Sequence, residues 1–89
     1  MANTKSAEKR SRQSVRRRDR NRADLSRMRS AVKRLRAAVA AGDAQRAQEL
    51  LPETVRLVDT TAQKDVVHKN AAARTKSRLI HAVRALQAR

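Results

Sequence analysis

Leu25, Met28, Val32, Leu35 and Val39 follow one another at intervals of three, four, three and four, the spacing that lines one side of an α-helix with packing residues. Continued toward the N-terminus, the same side meets Asp24, Arg17 and Arg10, and Val15 is the one large apolar residue between Met1 and Leu25. The pattern predicts a first helix from near Ser6, with Ser6 or Thr4 as its N-cap, to about Ala41. At ~36 residues it would be roughly 54 Å long. Its second half has a face to bury. Its first half, residues 6–23, has none and projects from whatever the second half packs against.

Gly42 suits the left-handed position just past a helix end, and Asp43 can cap the next helix. That second helix is expected over Ala44–Lys64, where Leu51, Val55, Val58 and Ala62 repeat at four, three and four, flanked by Leu50 and Leu57. Pro52 falls inside it. Proline cannot donate to the carbonyl of Gln48, so a kink there, or a split into two pieces, is expected. A third helix is expected over Val67–Ala88, with Asp65 as a candidate cap. Ala72, Leu79, Val83 and Leu86 share one side of it, Arg74, Arg78, His81 and Arg84 the other, with Lys69 and Lys76 on the rim. One glycine, one proline and seventeen alanines favour helix throughout, and no alternating run is long enough for a strand. The expected fold is all-α: a three-helix bundle with a long, projecting basic N-terminal helix. It forms one domain over 1–89, residues 1–23 being a basic arm and 24–89 the bundle.

Charge then changes the picture from architecture to partner. The chain carries 23 Lys and Arg against eight acids, a net charge of +15. Residues 1–36 hold net +11, residues 37–63 net −2 and residues 64–89 net +6, so the cations gather at the two ends of the chain. Such a distribution fits a protein that lays both ends on phosphates. It also opposes compaction, so the fold is expected to be marginal alone and strengthened by a neutralising partner.

The densest cluster is Lys9, Arg10, Arg12, Arg16, Arg17, Arg18, Arg20 and Arg22, with Lys5 ahead of it and Asp19 its one acid. These groups point all around the helix. Arginine suits phosphate because its planar fork meets two oxygens at once. Arg27 and Arg34 extend the set into the bundle half. A second candidate surface is the start of helix three, where His68, Lys69, Asn70, Arg74, Lys76 and Arg78 offer donors near helix amides. An ordinary amphipathic helix with a basic outer side explains that second surface equally well.

Other chemistries find little support. No cysteine is present, which removes disulfides and thiolate metal sites. His68 and His81 are thirteen residues apart with no paired carboxylate, and read as partly exposed structural histidines. No catalytic constellation can be assembled, so no enzyme, cofactor or small-molecule substrate is expected. The longest apolar run, Ala37–Ala41, is too short for a membrane span or a signal h-region; a cytoplasmic location is expected, with Met1 removed ahead of the small Ala2. Without Phe, Tyr or Trp the chain cannot stack single-stranded bases. Recognition should rest on phosphate, sugar and the shape of folded RNA, or on duplex grooves.

The opening Met1-Ala2-Asn3-Thr4-Lys5-Ser6-Ala7-Glu8-Lys9-Arg10 and the block from His68 to Leu79, His-Lys-Asn-Ala-Ala-Ala-Arg-Thr-Lys-Ser-Arg-Leu, resemble the bacterial small-subunit ribosomal protein S-twenty family. Ala41-Gly42-Asp43 also stands where that family joins its first two helices. The resemblance spans essentially the whole chain. It implies a three-helix bundle with a long first helix and direct binding to small-subunit ribosomal RNA. The RNA contacts it implies are chiefly with the 5′ domain, and further ones with the penultimate stem. It also implies early entry into subunit assembly among other ribosomal components. It matches Lys5, Lys9, Arg10, Arg12, Arg16, Arg17, Arg20, Arg22, His68, Lys69, Asn70, Arg74, Lys76 and Arg78 to the family's RNA-facing positions. Two departures are local: Asp65 stands where the family commonly has Gly, and Pro52 interrupts a helix that is usually uninterrupted.

Two rival readings fit less well. A DNA-binding basic zipper, or a nucleoid-associated protein of that kind, shares the outline of a basic region leading into a 3-4-3-4 seam. The seam here ends at Gly42 after two heptads, which is short for a dimer. A membrane-surface peptide fails because the most basic segment has no apolar face.

Overall fold

The computed structural model describes the backbone of residues 2–88 and the side chains from Lys5 to Ala88. Three helices follow one another: α1 (Ala2–Ala40), α2 (Ala44–Gln63) and α3 (Lys69–Gln87). The 39-residue α1 sets the shape, and the molecule measures 68 × 20 × 15 Å. The helix begins before both Thr4 and Ser6, so these two residues lie inside it and neither is its N-cap. The expected loss of Met1 lies outside the described residues.

The bundle is built on the second half of α1. Val32, Leu35 and Ala38 are buried there, with Met28 and Val39 half-buried beside them. They meet Ala47 and Val58 of α2 and Ala72, Leu79, Val83 and Leu86 of α3. Leu35 is 0% exposed, so the seam that a zipper would offer to a second copy is consumed within the chain. α2 packs broadly on both other helices, while α1 and α3 share a slimmer contact. The buried apolar residues include three alanines, Ala38, Ala47 and Ala72, and make a small core. At roughly 1.5–3 kcal/mol for each fully buried large side chain, it sustains a bundle with little to spare.

α1 ends as the glycine predicted. Gly42 takes φ +74. Its N–H donates to the carbonyl of Val39, and the N–H of Asp43 donates to that of Ala38, both at 3.0 Å, which together form a Schellman ending. The Asp43 carboxylate then accepts from the N–H of Arg46 at 3.1 Å and caps α2.

α2 excludes one alternative and corrects one expectation. It is one helix: Pro52 does not split it. The proline is exposed, as is Gln48, so the bond that Pro52 cannot make is missing on the water side, where the Gln48 carbonyl can be hydrated. The buried stripe also differs. Thr54 and Thr61 are 3% and 1% exposed, whereas Val55 and Ala62 are half-buried. Each buried hydroxyl donates to the carbonyl four residues earlier, Thr54 to Leu50 at 2.8 Å and Thr61 to Leu57 at 2.7 Å. Satisfied in this way, threonine presents its methyl to the core.

The second turn departs from the expected one as well. Asp65 does not cap α3. It takes φ +59 at the end of α2, its N–H donating to Ala62 while the N–H of Val66 donates to Thr61. This is a second Schellman ending, with aspartate in the seat that glycine fills with least strain. α3 starts two residues later than Val67, and His68 is its N-cap, Nδ1 accepting from the N–H of Asn70 at 3.1 Å.

Candidate nucleic-acid interface

Every described side chain from Lys5 to Arg20 is exposed. Burial begins at Asn21, followed by Asp24 and Leu25. The cations Lys5, Lys9, Arg10, Arg12, Arg16, Arg17, Arg18 and Arg20 therefore stand on a bare helical rod, about 23 Å long from Lys5 to Arg20. Arg22, Arg27 and Arg34, farther along, are also exposed. The rod's described side chains stay exposed even where Ser14, Arg17, Arg18 and Arg20 border depressions shared with the α2–α3 turn.

At its root the rod is fixed. Asp24, with 17% of its side chain exposed, lies 3.6 Å from the Lys64 ammonium at the end of α2 and 3.8 Å from the Arg27 guanidinium. Arg17, Arg20, Asn21 and Asp24 share a surface depression with Lys64 and Asp65. On its neighbouring side Ser14, Arg17, Arg18, Arg22 and Leu25 meet Asp65 and Val66. The α2–α3 turn thus lies beside the root of the rod, joined to it by the Asp24–Lys64 pair, while the rod keeps the direction of the single helix α1. The two acids beside it counter the crowding of arginines at that point.

The second predicted surface is divided between two sides of α3. Asn70, Arg74 and Arg78 are exposed on one side; His68 and Lys69, also exposed, border the groove toward α2 together with Lys76. His68 uses Nδ1 as the cap acceptor, so its neutral ring carries the proton on Nε2, which remains a donor. Lys76 is turned toward α2. Its ammonium lies 2.6 Å from the Asp59 carboxylate of α2, and 31% of its side chain is exposed. It clamps α3 to α2, leaving only part of its donor capacity for a partner. Arg74 and Arg78 sit about 160–200° around α3 from Lys76, away from α2. An open groove at the α2–α3 junction is lined by Asp59, Asp65, His68, Lys69 and Lys76; its mixed charge sets it apart from the uniformly basic arm.

Arm and α3 surface thus lie on the same elongated body, and α2, the least basic helix, backs them. Sequence reasoning found the clusters because like charges in a row are visible without a fold. It did not find Lys64, which ties the arm's root to the turn, or the role of Lys76 in pairing α3 to α2, since both depend on residues brought together from different helices. Among the described residues no cluster of three or more His, Asp or Glu could hold a metal ion, and no helix is long and apolar enough to cross a membrane.

Comparison with known proteins meets this geometry from another direction. The family model described as ribosomal protein S20 matches residues 2–84. The small ribosomal subunit protein bS20 of Burkholderia cenocepacia (strain HI2424) is 50% identical over 88 residues, 99% of this chain and 98% of the relative. The proteins of the same name from Burkholderia vietnamiensis and Burkholderia multivorans show the same identity and coverage. With near-complete coverage on both sides and a helical architecture that carries its cations on one long exposed rod, this chain belongs to the ribosomal protein S20 family.

Proposed function

We propose that the protein is a structural constituent of the small ribosomal subunit that binds small-subunit ribosomal RNA directly, through phosphate contacts, and does so early in assembly. The observation that carries this reading is the rod: a helix of cations from Lys5 to Arg20 whose described side chains are all exposed. A helix without tertiary contacts gains little by existing alone. Surrounded by phosphates, the same helix becomes a scaffold for charge-assisted hydrogen bonds.

Lys5, Lys9, Arg10, Arg12, Arg16, Arg17, Arg18, Arg20 and Arg22 form the main contact in this reading, with Arg27 and Arg34 continuing it. His68, Lys69, Asn70, Arg74 and Arg78 form a lesser one, and Lys76 contributes from within its ion pair. From the family resemblance we infer contacts with the 5′ domain and the penultimate stem, and a location in the cytoplasm, in the ribosome. The chain acts as a binding protein, not an enzyme, and needs no cofactor.

Footprinting on small-subunit ribosomal RNA tests the proposal. Protection should fall on backbone positions in the 5′ domain, and affinity should fall steeply with salt, with a slope of about −0.7 to −0.9 per phosphate contact. Protection absent from that domain, or affinity indifferent to salt, would refute it.

A further inference from the structure

The cations of α1 do not stop where the arm meets the bundle, and their angular placement is ordered. At about 100° per residue, Arg22, Arg29, Lys33 and Arg36 fall within one sector roughly 60° wide, and Arg18 extends it into the arm. Arg16, Arg20, Arg27 and Arg34 fall in a second sector, centred about 150° away. All of these side chains are exposed.

The two sectors have different neighbours. Arg27 and Arg34 share a groove with Leu50, Glu53 and Leu57 of α2, and Arg27 also approaches Asp24. Acids therefore temper that side. The other sector lies about 150° around α1 from the side that borders this α2 groove. Arg22, Arg29 and Lys33 line a shallow surface with Leu25, Ser26 and Ser30. Among the described residues none of Arg22, Arg29, Lys33 and Arg36 makes an ion pair. Since Lys76 holds one side of α3 to α2, the side bearing Arg74 and Arg78 turns from α2.

We propose that Arg29, Lys33 and Arg36 form a second phosphate-binding face on the bundle itself, which holds an RNA backbone segment other than the one gripped by the arm. The inference rests on the RNA-binding reading and adds residues and a geometry to it. Two rows of cations about 150° apart on a rod roughly 10–12 Å thick cannot follow a single row of phosphates. They fit two backbones, one on each side of α1. Arg29, Lys33 and Arg36, exposed and without an ion pair among the described residues, are held at close quarters by the helix, and an RNA backbone relieves their mutual repulsion; Arg22, whose depression includes Asp65, adjoins the arm.

The test replaces Arg29, Lys33 and Arg36 together by Gln in the full chain. Glutamine has similar helix propensity, so the melting transition should be unchanged; the double change R29Q and R36Q is a milder second variant. Binding to small-subunit ribosomal RNA is followed across a salt series and by hydroxyl-radical footprinting, beside a Lys9→Gln, Arg12→Gln, Arg16→Gln control. The expected result is a salt slope shallower by about 2–3 units, with protection disappearing at nucleotides different from those affected in the control. An unchanged slope, or the same nucleotides affected in both variants, would overturn the second face while leaving RNA binding intact. A wild-type chain without salt-dependent affinity would overturn both.

Discussion

Removing residues 2–20 separates what holds the bundle together from what the protein binds. The deletion takes away eight basic and two acidic residues and lowers the net charge from +15 to +9. It removes no buried side chain among the described residues, because every one of them before Asn21 is exposed, and it spares the Asp24–Lys64 pair. What the bundle gives up is the approach of Arg17 and Arg20 to Asp65 at the surface, and exposed charge pairs are worth about 0–1 kcal/mol. Relief of self-repulsion acts in the opposite direction. The net change in stability should stay within roughly 0.5 kcal/mol, which for a domain of this size is less than about 4 °C in Tm. RNA binding should respond very differently. If most of the eight cations meet phosphates, the slope of log K against log salt should become shallower by about 4–7 units. Circular dichroism melting and a salt series of filter-binding measurements check the two halves separately. A truncated chain that loses its cooperative transition would show that the rod supports the fold; one that melts normally and keeps its RNA affinity would show that the rod is not where RNA binds.

Single changes at four positions probe the local devices. Pro52→Ala should raise stability by about 1–3 kcal/mol in denaturant titrations, because the exposed proline sits inside a continuous helix; a decrease would mean that the ring's rigidity outweighs the missing bond. Thr61→Val should be neutral or stabilising by up to about 1 kcal/mol, since the hydroxyl serves only a carbonyl of its own helix; a clear drop in Tm would give that hydroxyl a larger role. Asp65→Gly should leave the turn intact and change stability by less than about 1 kcal/mol, whereas Asp65→Val at φ +59 should cost about 1–2 kcal/mol; equal melting of the two would contradict the strain argument. His68→Ala should cost about 1 kcal/mol through removal of the cap, and His68→Asn should restore most of it; failure of Asn to do so would remove the capping role.

What could be read from the sequence was whatever depends on spacing along one helix. The Val32–Leu35 seam, the Leu79–Val83–Leu86 face and the Gly42-Asp43 junction all appear where pattern and turn chemistry placed them. The missed features share a physical cause, which is that a residue's role depended on something outside its own type. Thr54 and Thr61 count as polar until a helix supplies the carbonyls that satisfy them. Asp65 looks like a cap by composition, yet the α2 end needs a left-handed residue at that position, and aspartate tolerates the conformation better than most. His68 falls outside the usual cap residues, and its ring nitrogen takes the role because α3 begins only at Lys69. The Asp24–Lys64 and Asp59–Lys76 pairs join residues distant in the chain, and no periodicity reveals them.

Those pairs explain how so cationic a chain folds at all. Four of its eight acids stand at junctions. Asp43 begins α2, Asp65 ends it, Asp24 ties the root of the rod to that end, and Asp59 ties α3 to α2. Glu49 and Glu53 belong to α2, and only Glu8 and Asp19 lie on the rod, against the eight cations it carries from Lys5 to Arg20. Negative charge is thereby concentrated where helices must meet, on or beside α2, and positive charge is left on the outer sides of α1 and α3. Each acid placed at a junction lowers repulsion inside the bundle without neutralising the outer surface. An even scatter of the same eight acids would give the same net charge, but a weaker bundle and a patchier basic face. The arrangement makes α2 both the electrostatic counterweight and the packing bridge. An acid-to-amide change at Asp24 or Asp59 should therefore loosen the bundle most at low salt, where unscreened repulsion among the remaining cations is strongest; a destabilisation that grows with added salt would contradict this account.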